Sequence, residues 1–345
     1  MNFYNYKFFK KKETLMVFFL IIFSIVVRIP IILIFGDTNL ENEWGPLATN
    51  LINHGILSLK NLDGFLLPNL WMPPLYAYYI YCFSFFNLEN QYFVLLILFS
   101  QILLGSISVG IFYKINRNFF SEKISLFGAV LFSLFPLYLY ACAQISSISL
   151  HIFLAILFYY YFFQIIKKQN ILPIIIFAFL GGLLILTRRE FVAILILSSF
   201  FLFIFFKLPI KKFFLIFLIA TITTSPYLIR NILIFERITI QAGFGYNVWK
   251  ANNPNSKVEG STVIDYNLQK RIDKIPKDKS YRINEDKIFL EEGLEYIKEN
   301  PKRYISLYFK KIIAFLFIDT DSSEPNYYNI FHYMPVLLLG ATSLL

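Results

Sequence analysis

The sequence predicts an all-α, polytopic transmembrane helix bundle, and three observations carry that reading. Hydrophobic residues make up 57% of the 345-residue chain and aromatic residues 19%, while charged residues reach only 16%. A water-soluble domain of this size has no interior large enough to hide so much apolar surface. Apolar windows of about 20 residues, the length a helix needs to cross the hydrocarbon layer, recur along the chain. They are continuously apolar, without the alternation of a transmembrane β-barrel. The formal net charge of +10 comes from lysines and arginines gathered at window ends, where they orient helices; no nucleic-acid partner is implied. The two cysteines, Cys82 and Cys142, sit in apolar context and read as buried thiols, not as a disulfide framework.

The first window, residues 14–35, follows Lys7, Lys10, Lys11 and Lys12. It is too long for a signal peptide and lacks a small-residue cleavage site, so it reads as an anchored span with a cytoplasmic N-terminus. The next loop, 36–74, then lies outside and carries Asp37, Glu41, Glu43 and Asp63 against a single lysine, Lys60. The tyrosine-rich stretch 73–80 has the composition of a helix lying at the membrane surface, with Pro73-Pro74 ending the loop and orienting that helix. Further spans are expected at 92–113, 124–140, 145–166, 171–186, 191–206 and 213–229. Their cytoplasmic ends hold most of the positive charge, as in Lys114, Arg117, Lys123, Lys167, Lys168, Lys211 and Lys212. Arg188, Arg189 and Arg230 fall on the opposite side, against the positive-inside rule, and therefore need a partner.

Residues 1–234 thus form an N-terminal transmembrane core with its first outer loop. Residues 235–301 form a polar outer loop with turn signals at Gly243, Gly245, 252–255 and Gly260, its second half a helix from 284 to 299. Residues 302–345 read as a basic amphipathic interfacial helix, 302–317, and the start of a further transmembrane region. The last apolar run, 334–345, is too short to span, so more helices are expected beyond it. The three histidines, His54, His151 and His332, show no ligand spacing, and no metal site or cofactor is required.

Ionised groups beside hydrocarbon are costly, and membrane-edge acids are therefore functional hypotheses. Glu43 stands directly before the helical run 44–51, with Asp37 and Glu41 close by in sequence. An acid among cations at headgroup level suits transfer of a group from a membrane-bound phosphate carrier. The carboxylate takes the proton from the attacking hydroxyl or amine, while Arg188, Arg230 and a weaker third cation, Lys311, hold the phosphate leaving group. Plainer roles stand beside these. Glu43 also suits a helix cap, the arginines suit interfacial anchoring, and Lys311 suits contact with acidic lipid.

Several blocks extend the pattern: 43–51, Trp71-Met72-Pro73-Pro74-Leu75-Tyr76, Leu186-Thr187-Arg188-Arg189-Glu190, Ser225-Pro226-Tyr227-Leu228-Ile229-Arg230-Asn231, 245–254, and Ile297-Lys298-Glu299-Asn300-Pro301. They occur in the order seen in bacterial GT-C glycosyltransferases, and the chain resembles the protein-mannosyltransferase and aminoarabinose-transferase-like superfamily over nearly all its length. The resemblance implies a multi-pass protein of the bacterial inner membrane. It also implies a polyprenyl-phosphate-sugar donor, inverting transfer on the extracytoplasmic face to an envelope glycan, lipid or protein, and an acid in the first outer loop as base. That role carries over to Glu43, five residues before Ala48. Where some members have an adjacent Asp-Glu pair, this chain has Leu40-Glu41, which keeps Glu41 and Asp37 as rivals. Relatives often carry a glutamate near Gln144-Ile145-Ser146-Ser147-Ile148, and this chain has none there. The Gly243–Pro254 loop, with Asn247 and Asn252, would cover the sugar site. Some distant GT-C enzymes hold a divalent cation, and Asp37, Glu41 or Glu43 is where one would bind. The alternative is a flippase or transporter of lipid-linked saccharides. It would carry polar residues deep within several spans, and these spans show few.

Overall fold

A computed structural model describes residues 3–40, 42–62 and 64–316. The chain divides into two compact units. Unit 1 comprises Met1–Lys60 and Pro73–Leu233, and unit 2 comprises Asn61–Met72 and Ile234–Leu345. The architecture is the predicted helix bundle, with one two-stranded sheet, β1 (Ser58–Leu62) and β2 (Phe65–Pro68).

Unit 1 begins with α1 (Phe3–Phe35), which runs through Pro30 without ending. Interior prolines are tolerated in membrane helices because neighbouring groups satisfy the freed carbonyl. The short helices α2 (Trp44–His54) and α3 (Leu75–Ser84) follow, the second starting directly after Pro74 as the sequence suggests. Then come α4 (Asn90–Asn116), α5 (Glu122–Leu134), α6 (Pro136–Ala143), α7 (Ile148–Lys167), α8 (Ile171–Thr187), α9 (Phe191–Phe205) and α10 (Ile210–Phe235). The central helix is α4, which packs on α1, α5 and α7, while α8 packs on α7 and α9. A side chain at Gly182 would come within 2.6 Å of Thr223 Cβ, so this glycine lets α8 and α10 approach closely.

Seven spans were expected from the sequence. Among the described residues four helices, α1, α4, α7 and α10, are long and apolar enough to cross a membrane. A fifth crossing arises only if α5 and α6, bent by 47° to each other, act as one. The expected span 124–140 is broken because Pro136 drives Phe135 into extended backbone, φ −63° and ψ 117°, the usual restriction on a residue before proline. At 17 and 15 residues, α8 and α9 fall short of the roughly 20 a full crossing needs. Cys142 is buried as expected, but Cys82 is exposed on α3, a helix too short to wrap all its apolar faces.

Unit 2 holds α11 (Phe244–Asn252), α12 (Tyr266–Asp273), α13 (Tyr281–Glu299) and α14 (Pro301–Leu316). Trp249, Leu268, Ile272, Ile275 and Phe289 form its core. A side chain at Gly245 would lie 1.9 Å from the Asp286 carbonyl oxygen, so this glycine allows α11 and α13 to touch. Asp286 also caps α11 from outside, its Oδ1 accepting the Tyr246 backbone N–H at 2.9 Å, and α12 is capped by Asp265 through the Leu268 N–H at 2.9 Å. Both carboxylates satisfy helix-start donors that have no partner within the helix. Trp71 belongs to this unit. It meets Tyr246 edge-on at 4.8 Å, lies under the Arg282 guanidinium at 5.6 Å, and its carbonyl accepts from Gln241 Nε2 at 2.6 Å. The C-terminal apolar run 334–345 lies outside the described residues.

Candidate active site

Asp37, Glu43, Arg188 and Arg230 lie in unit 1. Glu43 occupies the N-cap position of α2 with helical backbone, φ −67° and ψ −24°, and its side chain makes no cap hydrogen bond. It is exposed, so the capping role considered for it is not one it performs through a hydrogen bond. Its neighbour Trp44 is buried and meets the Tyr76 ring edge-on at 4.8 Å. Alternation along the first turn of α2 therefore leaves the carboxylate outside while the indole anchors the helix.

Tyr76 is fully buried. Its hydroxyl donates to Gln101 Oε1 at 2.8 Å, and Gln101 Nε2 in turn donates to the carbonyls of Cys142 at 3.2 Å and Gln144 at 2.9 Å. Burial pushes the Tyr76 phenol well above its ordinary pKa, and the stacked Tyr79 adds to this. The phenol thus stays a neutral donor. The Gln144–Ile148 stretch ends on the other rival acid. Asp37 Oδ2 accepts the Ile145 N–H at 2.6 Å, the Asp37 N–H donates to the Ala143 carbonyl at 3.0 Å, and Gln144 Nε2 donates to the Phe35 carbonyl at 2.8 Å. The end of α1 is therefore clasped by the segment between α6 and α7, with one Asp37 oxygen committed to a backbone donor. The expected start of a span at 145 moves to Ile148 for this reason. Glu41 lies outside the described residues.

Arg230, near the end of α10, donates to Asn231 Oδ1 at 2.7 Å and lies over the Tyr227 ring at 5.5 Å. Its charge also reaches Tyr78 of α3, whose phenol is raised by burial and pulled partly back by this arginine. Tyr76 of α3 receives the indole beside Glu43, and Tyr78, two residues on, feels the charge of Arg230. Arg188 is exposed at the C-terminal end of α8, next to Thr187, whose Oγ1 is 2.7 Å from His151 Nδ1. α3 packs on α8.

Three of the candidates lie in unit 2. Lys311 Nζ donates to the Ala251 carbonyl at 2.7 Å, and burial, followed by the nearby Arg303, lowers its pKa. Asn252 Nδ2 donates to the Val248 carbonyl at 2.8 Å, while Asn247 is exposed on α11. These contacts hold α11 and its following turn in place.

Sequence reasoning passed over Arg28. It is 1% exposed in α1, about 10 Å from the helix end at the usual rise per residue. Its Nη1 donates to Ser24 Oγ, to the Ser24 carbonyl at 3.3 Å and to Ser133 Oγ of α5 at 3.4 Å. Its Nε has no hydrogen-bond partner and borders a cavity of about 10 Å³ lined by Gly105, Cys142 and Ser149, room for about one water molecule. No carboxylate pairs with it among the described residues. The signal was available, since Arg28 is the single charge within the apolar run 14–35. Gln101 and Asn231 are likewise fully buried in α4 and α10. The few polar groups that the spans carry face inward, where helices can satisfy them.

No curated protein matches the chain. Residues 68–229, just under half of the chain, match the family model of dolichyl-phosphate-mannose-protein mannosyltransferases. This stretch takes in Pro73-Pro74, all of α3, the α6–α7 break and Arg188, begins after Glu43 and Asp37, and stops one residue before Arg230. On a multi-pass chain with several helices of membrane-crossing length, that match supports a membrane glycosyltransferase of the GT-C type.

Proposed function

We propose that this chain transfers a sugar from a polyprenyl-phosphate carrier to an envelope glycan, lipid or protein on the extracytoplasmic side of a bacterial inner membrane, with Glu43 as general base. What supports this reading is that Tyr76 of α3 packs on Trp44, the residue after Glu43, while the charge of Arg230 bears on Tyr78 of the same helix. Glu43 is favoured over Asp37 because its carboxylate is exposed and makes no cap bond. Asp37 has one oxygen taken up by the Ile145 N–H. In this reading the acceptor hydroxyl or amine loses its proton to Glu43 as it attacks the anomeric carbon. The bond from that carbon to the carrier phosphate breaks, and Arg230, with Arg188 as second cation, takes up the charge that develops on the departing phosphate.

The test is transfer from labelled polyprenyl-phosphate sugars by the full-length protein in membranes, at equal expression. Glu43→Gln should lose roughly a hundred- to ten-thousand-fold in rate while still binding donor. Arg230→Met should act mainly on donor binding, raising KM by about ten-fold or more. Full transfer by Glu43→Gln would move the base to Asp37 or Glu41. Saccharide movement across the bilayer without transfer would favour the flippase reading.

A further inference from the structure

Among surface helices α14 is inside out. Ile305, Tyr308, Phe309 and Ile312 recur at helical spacing as one stripe, and their exposures are 53%, 53%, 59% and 37%. The opposite stripe holds Arg303, Leu307, Lys310 and Lys311. That side is the one fastened to unit 2. Leu307 is buried, and Lys311 reaches the Ala251 carbonyl. Arg303 donates to the carbonyls of Asn252 at 3.4 Å, Asn253 at 3.2 Å, Pro254 at 2.9 Å and Ser256 at 2.9 Å. Arg303 and Lys311 thus tie the helix to its own unit, Lys310 stays exposed, and the apolar residues point away from that unit.

A contiguous apolar stripe of this kind marks a surface that something apolar covers. At 16 residues with Lys302, Arg303, Lys310 and Lys311 inside it, the helix is too short and too charged to cross a bilayer. It has the composition of a helix lying in the interface plane, apolar side in the acyl boundary and basic groups among the headgroups. Lys257, Lys302 and Lys310 are all exposed and make no ion pair among the described residues. Lys257 and Lys310 also line, with Arg303, a groove of about 530 Å³ along the helix flank. In a chain that already spans a membrane, the occupant that matches both features is a bilayer surface containing anionic lipid.

We propose that α14 docks unit 2 onto the bilayer, its Ile305–Tyr308–Phe309–Ile312 stripe inserted among acyl chains and Lys257, Lys302 and Lys310 holding anionic headgroups. This holds whatever reaction the protein catalyses. The test uses the full chain with the exposed Cys82 replaced by serine, reconstituted in vesicles of phosphatidylcholine with or without phosphatidylglycerol. Single cysteines replacing Ile305, Phe309 or Ile312 carry a bimane label, and Lys287→Cys, on the exposed side of α13, is the aqueous control. The stripe labels should be quenched several-fold more by brominated acyl chains than by iodide, with the reverse order at position 287. Iodide quenching along the stripe, or quenching by neither agent because protein covers it, would overturn the proposal. Lys302→Glu and Lys310→Glu should each weaken acyl-chain quenching about five-fold in phosphatidylglycerol vesicles, and not in pure phosphatidylcholine. A parent protein quenched equally in both vesicles would refute the role of anionic headgroups.

Discussion

The two units handle charge in opposite ways. In unit 2 acids and bases pair directly: Arg282 with Glu285 at 2.5 Å, Arg271 with Glu292 at 2.6 Å and Glu291 at 3.0 Å, and Lys279 with Glu236 at 3.2 Å. In unit 1 the ion pairs among the described residues lie outside the apolar runs, Lys12 with Glu122 at 3.0 Å and Arg189 with Glu190 at 3.6 Å. Its interior charge, Arg28, is met by hydroxyl and carbonyl oxygens alone. A helical span closes its backbone donors and acceptors within itself and leaves side-chain hydroxyls and helix-end carbonyls as partners. A polar unit with nearly balanced charge can choose carboxylates. The contrast teaches that the lone cation of a span, Arg28, is turned inward to hydroxyls and carbonyls, whereas Arg271, Lys279 and Arg282 of unit 2 are fastened by carboxylates.

The largest stability effect should come from unpairing the most buried of these contacts. Glu285→Ala leaves Arg282 in a poorly hydrated position and should cost about 3–5 kcal/mol, read as a lower unfolding midpoint of unit 2. Glu285→Gln should recover part of it, and equal loss in both would mean that packing, not charge, is at stake. Next comes Gly245→Ala. A methyl 1.9 Å from the Asp286 carbonyl forces α11 and α13 apart and should cost about 1–3 kcal/mol or more.

For unit 1 the comparison predicts a different sign. Arg28→Met removes a buried charge that lacks a carboxylate partner, and should leave thermal stability in detergent unchanged or raise it by about 1–4 kcal/mol. A sharp fall instead would mean that its hydroxyl and carbonyl partners compensate the charge fully. Asp37→Ala frees the Ile145 N–H and should cost about 1–3 kcal/mol. Asp37→Asn keeps an acceptor and should cost less, which thermal denaturation of the pair would reveal.

The smallest effect is an alkaline one. Burial, with Glu292 and Asp265 beside it, pushes the Tyr296 phenol up to about 12, and its hydroxyl donates to Asp265 Oδ2 at 3.3 Å. An acid whose folded pKa is raised contributes stability below its unfolded value near 10 and loses it as pH climbs through the folded value. Unit 2 should therefore soften between about pH 10 and 12, and Tyr296→Phe should remove that step from a pH series of melting curves.

Much of this organisation was legible along the chain. Apolar runs located the four long apolar helices among the described residues, because hydrophobic length is a local property. Pro73-Pro74 announced the start of α3, and the lysine-rich amphipathic pattern announced α14. The break within 124–140 was also written locally, in Phe135-Pro136, but a window average hides a single proline. Glu43 and Arg230, nearly two hundred positions apart in sequence, are joined as candidates by their place at the outer ends of apolar runs, and nothing local says that Tyr76 of α3 packs beside the first while Tyr78 feels the charge of the second.

The sequence by itself determined the class of molecule, since apolar length and charge placement admit only a multi-pass helical protein. It also determined the pool of acids and cations from which a site can be drawn. Tertiary structure alone decided which of these are engaged. Asp37 is held by the α6–α7 break and Glu43 is left open, Arg28 is turned inward, and Arg303 is spent on four carbonyl oxygens. The reason is physical. Hydropathy acts residue by residue, whereas the partner of a polar group is set by which helix ends and hydroxyls the packing brings within hydrogen-bond reach.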